Sequence, residues 1–252
     1  MSAQCPQSGI ARHSGRRVYQ PRLVGDQFMM SKDLERLHKE LLEYDVVGHS
    51  DGGYDEGYSR CSCFWGKSPG SLVKRFLSEN VIPQGLSVLD LGSGEGKNAF
   101  AFAEAGAFVV AVDCSALALT NGQREFAHPQ IEWVLSDAAA YLRECGSFDV
   151  IIMYGLLHCL PSIAAIASVL ELAICKTGSD GHHIVAAFND GPHDLSAHSG
   201  FAPTLASHNF YLAQYHGHRI VSESNELLHE THPHNKIPHF HSLTRLIARK
   251  ST

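Results

Sequence analysis

Short apolar runs alternate with helical patterns through the middle of this 252-residue chain. Apolar runs bounded by turn residues predict buried strands, and stretches with a helical period lie between them. This alternation is typical of βα units on a parallel sheet. The predicted strands are 87–91, 108–112, 131–135, 148–153 and 183–188. The predicted helices between them are 97–106, 116–125, 138–144 and 161–174.

The pattern changes after residue 189. A polar loop at 189–200 precedes a predicted helix at 202–215, and two extended stretches follow at 218–227 and 239–250. This order predicts a doubly wound α/β sheet that closes with an antiparallel hairpin.

The chain before the first strand is less regular. Residues 1–30 are polar and lack periodicity, which predicts a flexible tail or lid. A helix capped by Ser31 follows, then a loop at 47–70 that carries aromatic residues, and a second helix at 71–80. We therefore expect a single domain over 31–252, with a helical N-terminal cap and a histidine-rich C-terminal hairpin.

Composition limits the partners and the compartment. The net charge is -6 with 18% charged residues and no block of Lys or Arg, which argues against nucleic acid as a partner. The seven cysteines lie mostly in apolar segments, a pattern typical of unpaired thiols in a reducing compartment. No apolar run has the length of a membrane span, and the N-terminus lacks the apolar core of a signal peptide. We therefore expect a cytoplasmic protein, monomeric or homodimeric, with no membrane partner.

A glycine-rich turn follows the first predicted strand and leads directly into a helix. The unpaired N–H groups of such a helix face a bound ligand. Lys97 stands where the dinucleotide fingerprint needs glycine, and Asn98 stands where a phosphate-binding loop needs Ser or Thr. These two positions make a phosphate ligand the weaker interpretation. The turn glycines are Gly92, Gly94 and Gly96.

Acidic residues mark the ends of three successive predicted strands. Asp90 precedes the turn, where a carboxylate attracts an ammonium group and repels a pyrophosphate. Asp113 ends the second strand, where an acidic group can hold both ribose hydroxyls. Asp137 ends the third strand and can accept from an adenine amino group, with the N–H of Ala138 nearby. The pattern points to S-adenosylmethionine as the cofactor.

On these residues the chain resembles the class I S-adenosylmethionine-dependent methyltransferases over roughly residues 80–190. The resemblance implies a Rossmann-like, doubly wound seven-stranded sheet that is mostly parallel with an antiparallel last strand. A nicotinamide-binding oxidoreductase is the alternative for such a turn. The residues assigned to the cofactor are Asp90, Gly92, Ser93, Gly94, Gly96, Asn98, Asp113, Cys114, Ser115, Asp137, Ala138, Tyr154 and Trp65.

A closer resemblance, over roughly residues 60–250, is to the tellurite-resistance type of small-molecule methyltransferase. It is carried by Lys97 and Asn98 after the glycine turn, by the pair Leu228 and His229, and by the terminal segment 248–250. Glu230 follows His229 where that group has basic residues that help with an oxyanion. This departure favours an organic acceptor over a tellurium or selenium oxyanion.

Methyl transfer is an in-line displacement, and a base is needed only if the acceptor loses a proton. His158 follows the fourth strand and is the first candidate for a general base. The alternative is that His158 is a structural residue at the start of a helix, bonded to the backbone. Tyr154 can pack on the cofactor. Trp65 can cover the cofactor or stack on an acceptor ring, although aromatic residues also serve in ordinary packing.

Many of the 17 histidines lie in the last third of the chain. They admit three interpretations: the mouth of an acceptor pocket, a metal site, or a solvated loop. Because no acidic or cysteine partner has regular spacing, we assign no metal ligand from sequence. The residues concerned are His229, His232, His234, His239 and His241. The candidate catalytic residues are His158, His229, His239 and His241.

The sequence thus predicts an enzyme that transfers a methyl group from S-adenosylmethionine to an O, N or S atom, or a soft chalcogen, of a small-molecule acceptor. The alternative is a metal- or ligand-binding protein on a degenerate methyltransferase fold.

Overall fold

The computed structural model describes residues 54–198, 200–232 and 236–251. The predicted tail or lid at 1–30, the helix capped by Ser31, and His234 lie outside the described residues. In the ranges that are described, no helix is long and apolar enough to cross a membrane.

Seven strands form one sheet in the order β3-β2-β1-β4-β5-β7-β6. Strands β1 to β5 pair in parallel, and β7 runs antiparallel to both β5 and β6. The predicted Rossmann-like sheet with an antiparallel last strand is confirmed. The strands are β1 (Ser87–Leu91), β2 (Phe108–Asp113), β3 (Ile131–Leu135), β4 (Phe148–Tyr154), β5 (Thr177–His193), β6 (Arg219–Glu230) and β7 (His239–Arg249).

Helices cover both faces of the sheet, and alternate residues of one strand enter opposite cores. In β4, for example, Ile151 and Met153 pack into one core with Leu170, whereas Ile152 packs into the other core with Phe102. A central parallel strand buried on both faces is therefore apolar throughout. The helices are α1 (Asp55–Arg60), α2 (Ser71–Glu79), α3 (Lys97–Glu104), α4 (Ala116–Glu125), α5 (Ala138–Glu144), α6 (Ile163–Cys175) and α7 (His208–Gln214).

Three segments differ from the prediction. Strand β5 begins at Thr177 instead of 183, because Thr177 pairs with Phe148 of β4. It also continues to His193, into the stretch predicted as a polar loop, because His193 still pairs with His241 of β7 after an irregularity. Helix α7 occupies only His208–Gln214 of the predicted 202–215, because Ala206 forms a bridge with Asn189 and Ser207 then caps the helix. The predicted loop at 47–70 contains the short helix α1.

The cysteines also differ in part from the prediction of unpaired thiols. Cys175 is disulfide-bonded. The other described cysteines are reduced thiols: Cys61, Cys63, Cys114, Cys145 and Cys159.

Candidate functional site

A cavity of about 500 Å³ opens at the carboxyl ends of the parallel strands, where this class of sheet binds its ligands. The glycine turn lines part of this cavity, and the segments after β4 and β5 and the end of β6 line other parts. The residues predicted for the cofactor that line this cavity are Trp65, Gly92, Ser93, Gly94, Asn98, Asp113, Cys114, Ser115, Asp137, Ala138 and Tyr154. Among the predicted catalytic histidines, His158 lines it.

The turn is anchored to β2 and needs its glycines for two different reasons. The N–H groups of Gly92 and Ser93 donate to the carbonyl of Val112 at 2.8 and 3.0 Å. Gly94 has φ +54°, and a Cβ there would lie 2.9 Å from the Tyr58 hydroxyl in the cavity wall. Gly96 has φ +83°, and its Cβ would overlap the Trp133 ring. Gly96 therefore lies outside the cavity wall and serves the packing of the turn.

Asp113 presents an oriented carboxylate to the cavity. One oxygen accepts from the N–H of Gly94 at 2.7 Å and the other from the N–H of Ser115 at 2.9 Å. Burial raises the pKa of Asp113, and these backbone donors act in the opposite direction. The hydroxyl of Ser115 in turn contacts the carboxylate of Asp55 and accepts from the N–H of Ala118. Two carboxylates thus lie close together at the end of β2.

Asp90 lies behind the turn and not in the cavity wall. Its Oδ2 accepts from the N–H of Ala99 at 3.1 Å, and its Oδ1 is buried with no hydrogen-bond partner among the residues described. Burial raises the pKa of this carboxyl to about 7. A direct contact with a cofactor ammonium therefore stays a prediction.

Two other predicted cofactor residues also have structural partners. Asp137 caps α5 by accepting from the N–H of Ala140 at 2.9 Å, while it lines the cavity together with Ala138. Asn98 accepts from the N–H of Gly70 at 2.8 Å and so fixes the segment that precedes α2.

Sequence reasoning missed Glu95, which joins the turn to the aromatic segment before α2. Its buried carboxylate accepts from the N–H of Cys63 at 2.8 Å and from the N–H of Phe64 at 2.6 Å. Beside it, Lys97 donates to the carbonyl of Trp65 at 2.9 Å. The turn therefore holds Trp65 over the cavity. The only sequence signal for Glu95 was an acidic residue between two turn glycines.

We expect Glu95→Gln to loosen this segment. The amide keeps the shape but loses the charge and one acceptor, so about 1–3 kcal/mol of local stability should be lost. Hydrogen exchange at the amides of Cys63 and Phe64 should accelerate, and thermal unfolding should shift only modestly. Glu144→Gln, at an exposed position of α5, is the matched control. Unchanged exchange at those two amides would show that Glu95 does not hold the segment.

His158 is buried and bonded to the backbone. Its Nδ1 accepts from the N–H of Phe188 at 3.1 Å, and its ring stacks on the Phe188 ring with centroids 4.0 Å apart. Because Nδ1 is an acceptor, the neutral ring carries its proton on Nε2. Burial lowers the pKa of His158 to about 3. The arrangement provides a neutral hydrogen-bond donor rather than a free base.

The C-terminal histidines divide into two groups. His229 is exposed on β6. His239 and His241 are buried on β7 and meet His232 and His198 beside the cavity. His198 was not singled out from sequence, and its only signal was a second histidine in the stretch predicted as a polar loop. Glu230 lies beside His239 of this group, and both Glu230 and His198 line the cavity.

Residues 88–173, which contain the glycine turn and the three acidic strand ends, match a family model described as a methyltransferase domain. The demethylmenaquinone methyltransferase of Beutenbergia cavernae is 31% identical over 132 residues, which are 52% of this chain and 49% of that protein. The chain thus spans about half the length of this curated relative.

Solved structures extend the comparison beyond this segment. TehB from Haemophilus influenzae superposes with a TM-score of 0.58 over 73% of this chain and 62% of that chain, at 20% identity. The 1,6-didemethyltoxoflavin-N1-methyltransferase of Burkholderia thailandensis was solved with bound 1,6-didemethyltoxoflavin and S-adenosylhomocysteine. It superposes with a TM-score of 0.52 over 86% of this chain and 90% of that chain, at 18% identity.

The fold is therefore that of the Rossmann-like methyltransferases. The predicted resemblance to class I S-adenosylmethionine-dependent methyltransferases is confirmed, and TehB is among the structures that this chain resembles.

Proposed function

We propose that this protein is an S-adenosylmethionine-dependent methyltransferase that acts on a small-molecule acceptor. The observation that carries the proposal is the Asp113 carboxylate, which two backbone N–H groups orient at the end of β2 in the wall of a cavity beside the glycine turn. A carboxylate held in this way can accept from both hydroxyls of a ribose. The match of residues 88–173 to a methyltransferase domain supports the same cofactor.

The residues around the cavity fit this cofactor. Gly92 and Gly94 allow a ligand to approach the turn backbone, and Asp137 with Ala138 lies at the end of β3, where an adenine ring would sit. Trp65 covers the cavity from the segment before α2, and it donates to the Tyr58 hydroxyl at 3.2 Å. When bound, S-adenosylmethionine supplies an activated methyl group on a positively charged sulfur.

The protein's own contribution to transfer is alignment and exclusion of water. Asp113, the glycine turn and Asp137 would hold S-adenosylmethionine, which would supply the methyl group by in-line displacement and leave as a neutral thioether. An acceptor that starts with a proton on the attacking atom must also lose it. We propose that the Nε2–H of His158 orients the acceptor and does not remove this proton, because its Nδ1 is occupied by the N–H of Phe188.

The acceptor half of the cavity favours an uncharged or weakly charged organic molecule over an oxyanion. Lys97 is the single Lys or Arg among the described lining residues, and it already donates to the Trp65 carbonyl. Burial lowers the pKa of Lys97. In the protein without bound metal, Glu230 adds negative charge to the same wall, which would repel an oxyanion. The remaining lining residues of this half are mostly apolar and include Leu156, Leu160, Phe188, Ala202, Leu228 and Leu243.

Calorimetric titration of metal-stripped protein with S-adenosylmethionine and with S-adenosylhomocysteine tests the proposal. We expect one saturable site for each ligand, since the carboxylates and the glycine turn address the ribose and adenine that both ligands share. A nicotinamide dinucleotide should give no heat of binding. Binding of the dinucleotide alone would overturn the proposal in favour of an oxidoreductase.

A second candidate function is supported by the buried histidines beside the cavity: a metal- or ligand-binding protein on a methyltransferase fold. Stoichiometric metal in a protein that binds neither sulfur ligand would favour this candidate. Binding of both sulfur ligands would justify a screen of phenols, amines, thiols and selenite as acceptors.

A further inference from the structure

Four histidine rings converge next to the cavity from three separate segments. His198 lies after β5, His232 follows β6, and His239 and His241 belong to β7. The Nε2 atom of His198 lies 3.2 Å from that of His232, 3.3 Å from that of His239 and 3.2 Å from that of His241. The Nε2 atom of His198 thus has three other ring nitrogens around it.

Hydrogen bonds between the rings do not account for this arrangement. An imidazole nitrogen carries either one proton or one lone pair, so it makes one good hydrogen bond to another ring nitrogen. The Nε2 atom of His198 has three such neighbours at nearly equal distance. In addition, His232, His239 and His241 are 4%, 3% and 0% exposed, so solvent does not separate them.

The outer nitrogen of His239 fixes its tautomer. Its Nδ1 lies 2.8 Å from the carbonyl of Ile237, an acceptor only, so Nδ1 carries the proton. The Nε2 atom therefore directs a lone pair at the cluster. Donation of the outer N–H to a carbonyl is the usual support for a histidine that ligates a metal.

A chain of hydrogen bonds through His193 fixes the tautomer of His241. The Nε2 atom of His193 lies 2.7 Å from the carbonyl of Asn189, so it donates, and the Nδ1 atom of His193 is left as an acceptor. That Nδ1 lies 3.3 Å from the Nδ1 of His241, which must then donate. The Nε2 atom of His241 consequently also directs a lone pair at the cluster. Two lone pairs that converge in a buried site need a cation or proton between them.

The distances suit a metal ion. Imidazole nitrogens bind zinc at about 2.0–2.1 Å, which in tetrahedral geometry separates two ligand nitrogens by about 3.3–3.4 Å. The three distances from His198 lie close to this value. The ligand atoms of His198, His232 and His239 all lie within 4.8 Å of one another, as do those of Glu230, His239 and His241.

Glu230 supplies the negative charge that a buried dication requires. Its carboxylate lies 3.7 Å from Nε2 of His239 and 3.9 Å from Nε2 of His241. Phe64 and Trp65 pack their rings near His232 and enclose the cluster on that side.

We propose that His198, His232 and His239 bind one divalent first-row transition-metal ion, with His241 and Glu230 beside these ligands. Imidazole ligands suit zinc, iron, copper and nickel, and a carboxylate partner with no thiolate argues against monovalent copper. This differs from the sequence-based assignment, which included no metal ligand. The site does not depend on methyl transfer, although His198 and Glu230 also line the cavity, so the ion would lie in the wall of the acceptor half.

The test is metal binding by the full chain, purified without a histidine tag. Protein stripped with a chelator, incubated with Zn²⁺ and passed through a desalting column should hold one zinc per chain by elemental analysis. Substitution with Co²⁺ should give visible d–d absorption of the intensity expected for a low-coordinate nitrogen-rich site. Wild-type protein that retains no stoichiometric zinc and no coloured cobalt would overturn the proposal.

Variants locate the site. His239→Ala and His198→Ala should each weaken zinc binding by at least about 100-fold in competition with a chromophoric chelator. His193→Ala, which removes the hydrogen bond to the Nδ1 atom of His241, should weaken zinc binding by roughly 10- to 100-fold. His229→Ala, at an exposed position beside Glu230, is the matched control and should retain one zinc. Equal zinc affinity in His229→Ala and His239→Ala would place the metal elsewhere.

Two further measurements separate the possible failures. Circular dichroism of each variant shows whether loss of zinc reflects loss of fold, and His198→Ala, outside the strands, is the variant least exposed to that problem. Zinc should raise the melting temperature of stripped wild-type protein and leave that of His198→Ala unchanged. Calorimetry with S-adenosylmethionine on stripped protein reports the proposed cofactor site separately, so failure of one site is distinguishable from failure of the other.

Discussion

Asp113→Ala should weaken S-adenosylmethionine binding by roughly 10- to 100-fold, because a hydrogen bond to a charged group contributes about 1.5–3 kcal/mol and the carboxylate can hold both ribose hydroxyls. S-adenosylhomocysteine should lose affinity to the same extent, since it has the same ribose. Calorimetric titration of both ligands measures the loss directly. An equal loss for the two ligands would place the effect at the ribose and not at the sulfonium.

This experiment needs controls that separate a disturbed turn from a lost contact with the ligand. Asp113 also accepts from the N–H groups of Gly94 and Ser115, so its removal loosens the turn as well. Asp113→Asn retains one acceptor and should lie between wild type and the alanine variant. Glu171→Ala, an exposed carboxylate on α6, should bind like wild type. Full affinity in Asp113→Ala, with a normal melting temperature, would remove Asp113 from the cofactor site.

The second large effect concerns acid stability and His183, which is buried away from the cavity. Its Nε2 lies 2.6 Å from the hydroxyl of Thr177, which itself donates to Ala173, so Nε2 is the donor. Its Nδ1 lies 2.8 Å from the Tyr215 hydroxyl and accepts from it. Both ring nitrogens are thus satisfied in the neutral form. Burial lowers the pKa of His183 to about 3.

The sign of the effect follows from proton linkage. The unfolded chain binds a proton at this histidine below its ordinary pKa of about 6.5, whereas the folded chain does not until about pH 3. The stability that the neutral ring contributes is therefore complete above pH 6.5 and is lost as the pH falls. One proton taken up on unfolding corresponds to about 1.4 kcal/mol per pH unit, or about 2 kcal/mol between pH 6.5 and 5. Positive charge on the nearby His218, Lys250 and His182 also lowers the pKa of His183.

Chemical denaturation of stripped protein between pH 5 and 7.5 measures this slope. His183→Gln should be less stable than wild type at pH 7.5, but its unfolding free energy should fall less steeply with acid, by about one proton. His229→Gln, at the exposed position on β6, is the matched control. Parallel slopes for His183→Gln and wild type would show that His183 is protonated in the folded protein.

The sequence predicted the sheet well because its signal is local. Buried parallel strands are apolar throughout, and the helices between them have their own period, so β1 to β4 agree with the predicted ranges to within a residue or so. The length of β5 was wrong, since its extension to His193 depends on pairing with β7, nearly fifty residues later in the chain. Helix α1 was missed because its six residues carry little periodic signal.

The candidate site divides in the same way. Asp113 and Asp137 could be placed from sequence because each directly follows a strand, and the carboxyl ends of parallel strands meet at one edge. The position of Asp90 along its strand could be predicted from sequence, but its burial behind the turn could not. The hydrogen bonds from the amides of Cys63 and Phe64 to Glu95 join segments about thirty residues apart, and no spacing rule along the sequence predicts them.

By itself, the sequence determined the parallel sheet, the glycine turn and the acidic strand ends, because each depends on residues that are neighbours along the chain. Only the tertiary structure decided that the rings of His232, His239 and His241 surround the Nε2 atom of His198, and that His158 offers a proton instead of a lone pair. Strand register brings Glu230 opposite His239 and His193 opposite His241, so the cluster exists only once β5, β6 and β7 have paired. That pairing brings together side chains from distant segments. Its register cannot be predicted from any local pattern in the sequence.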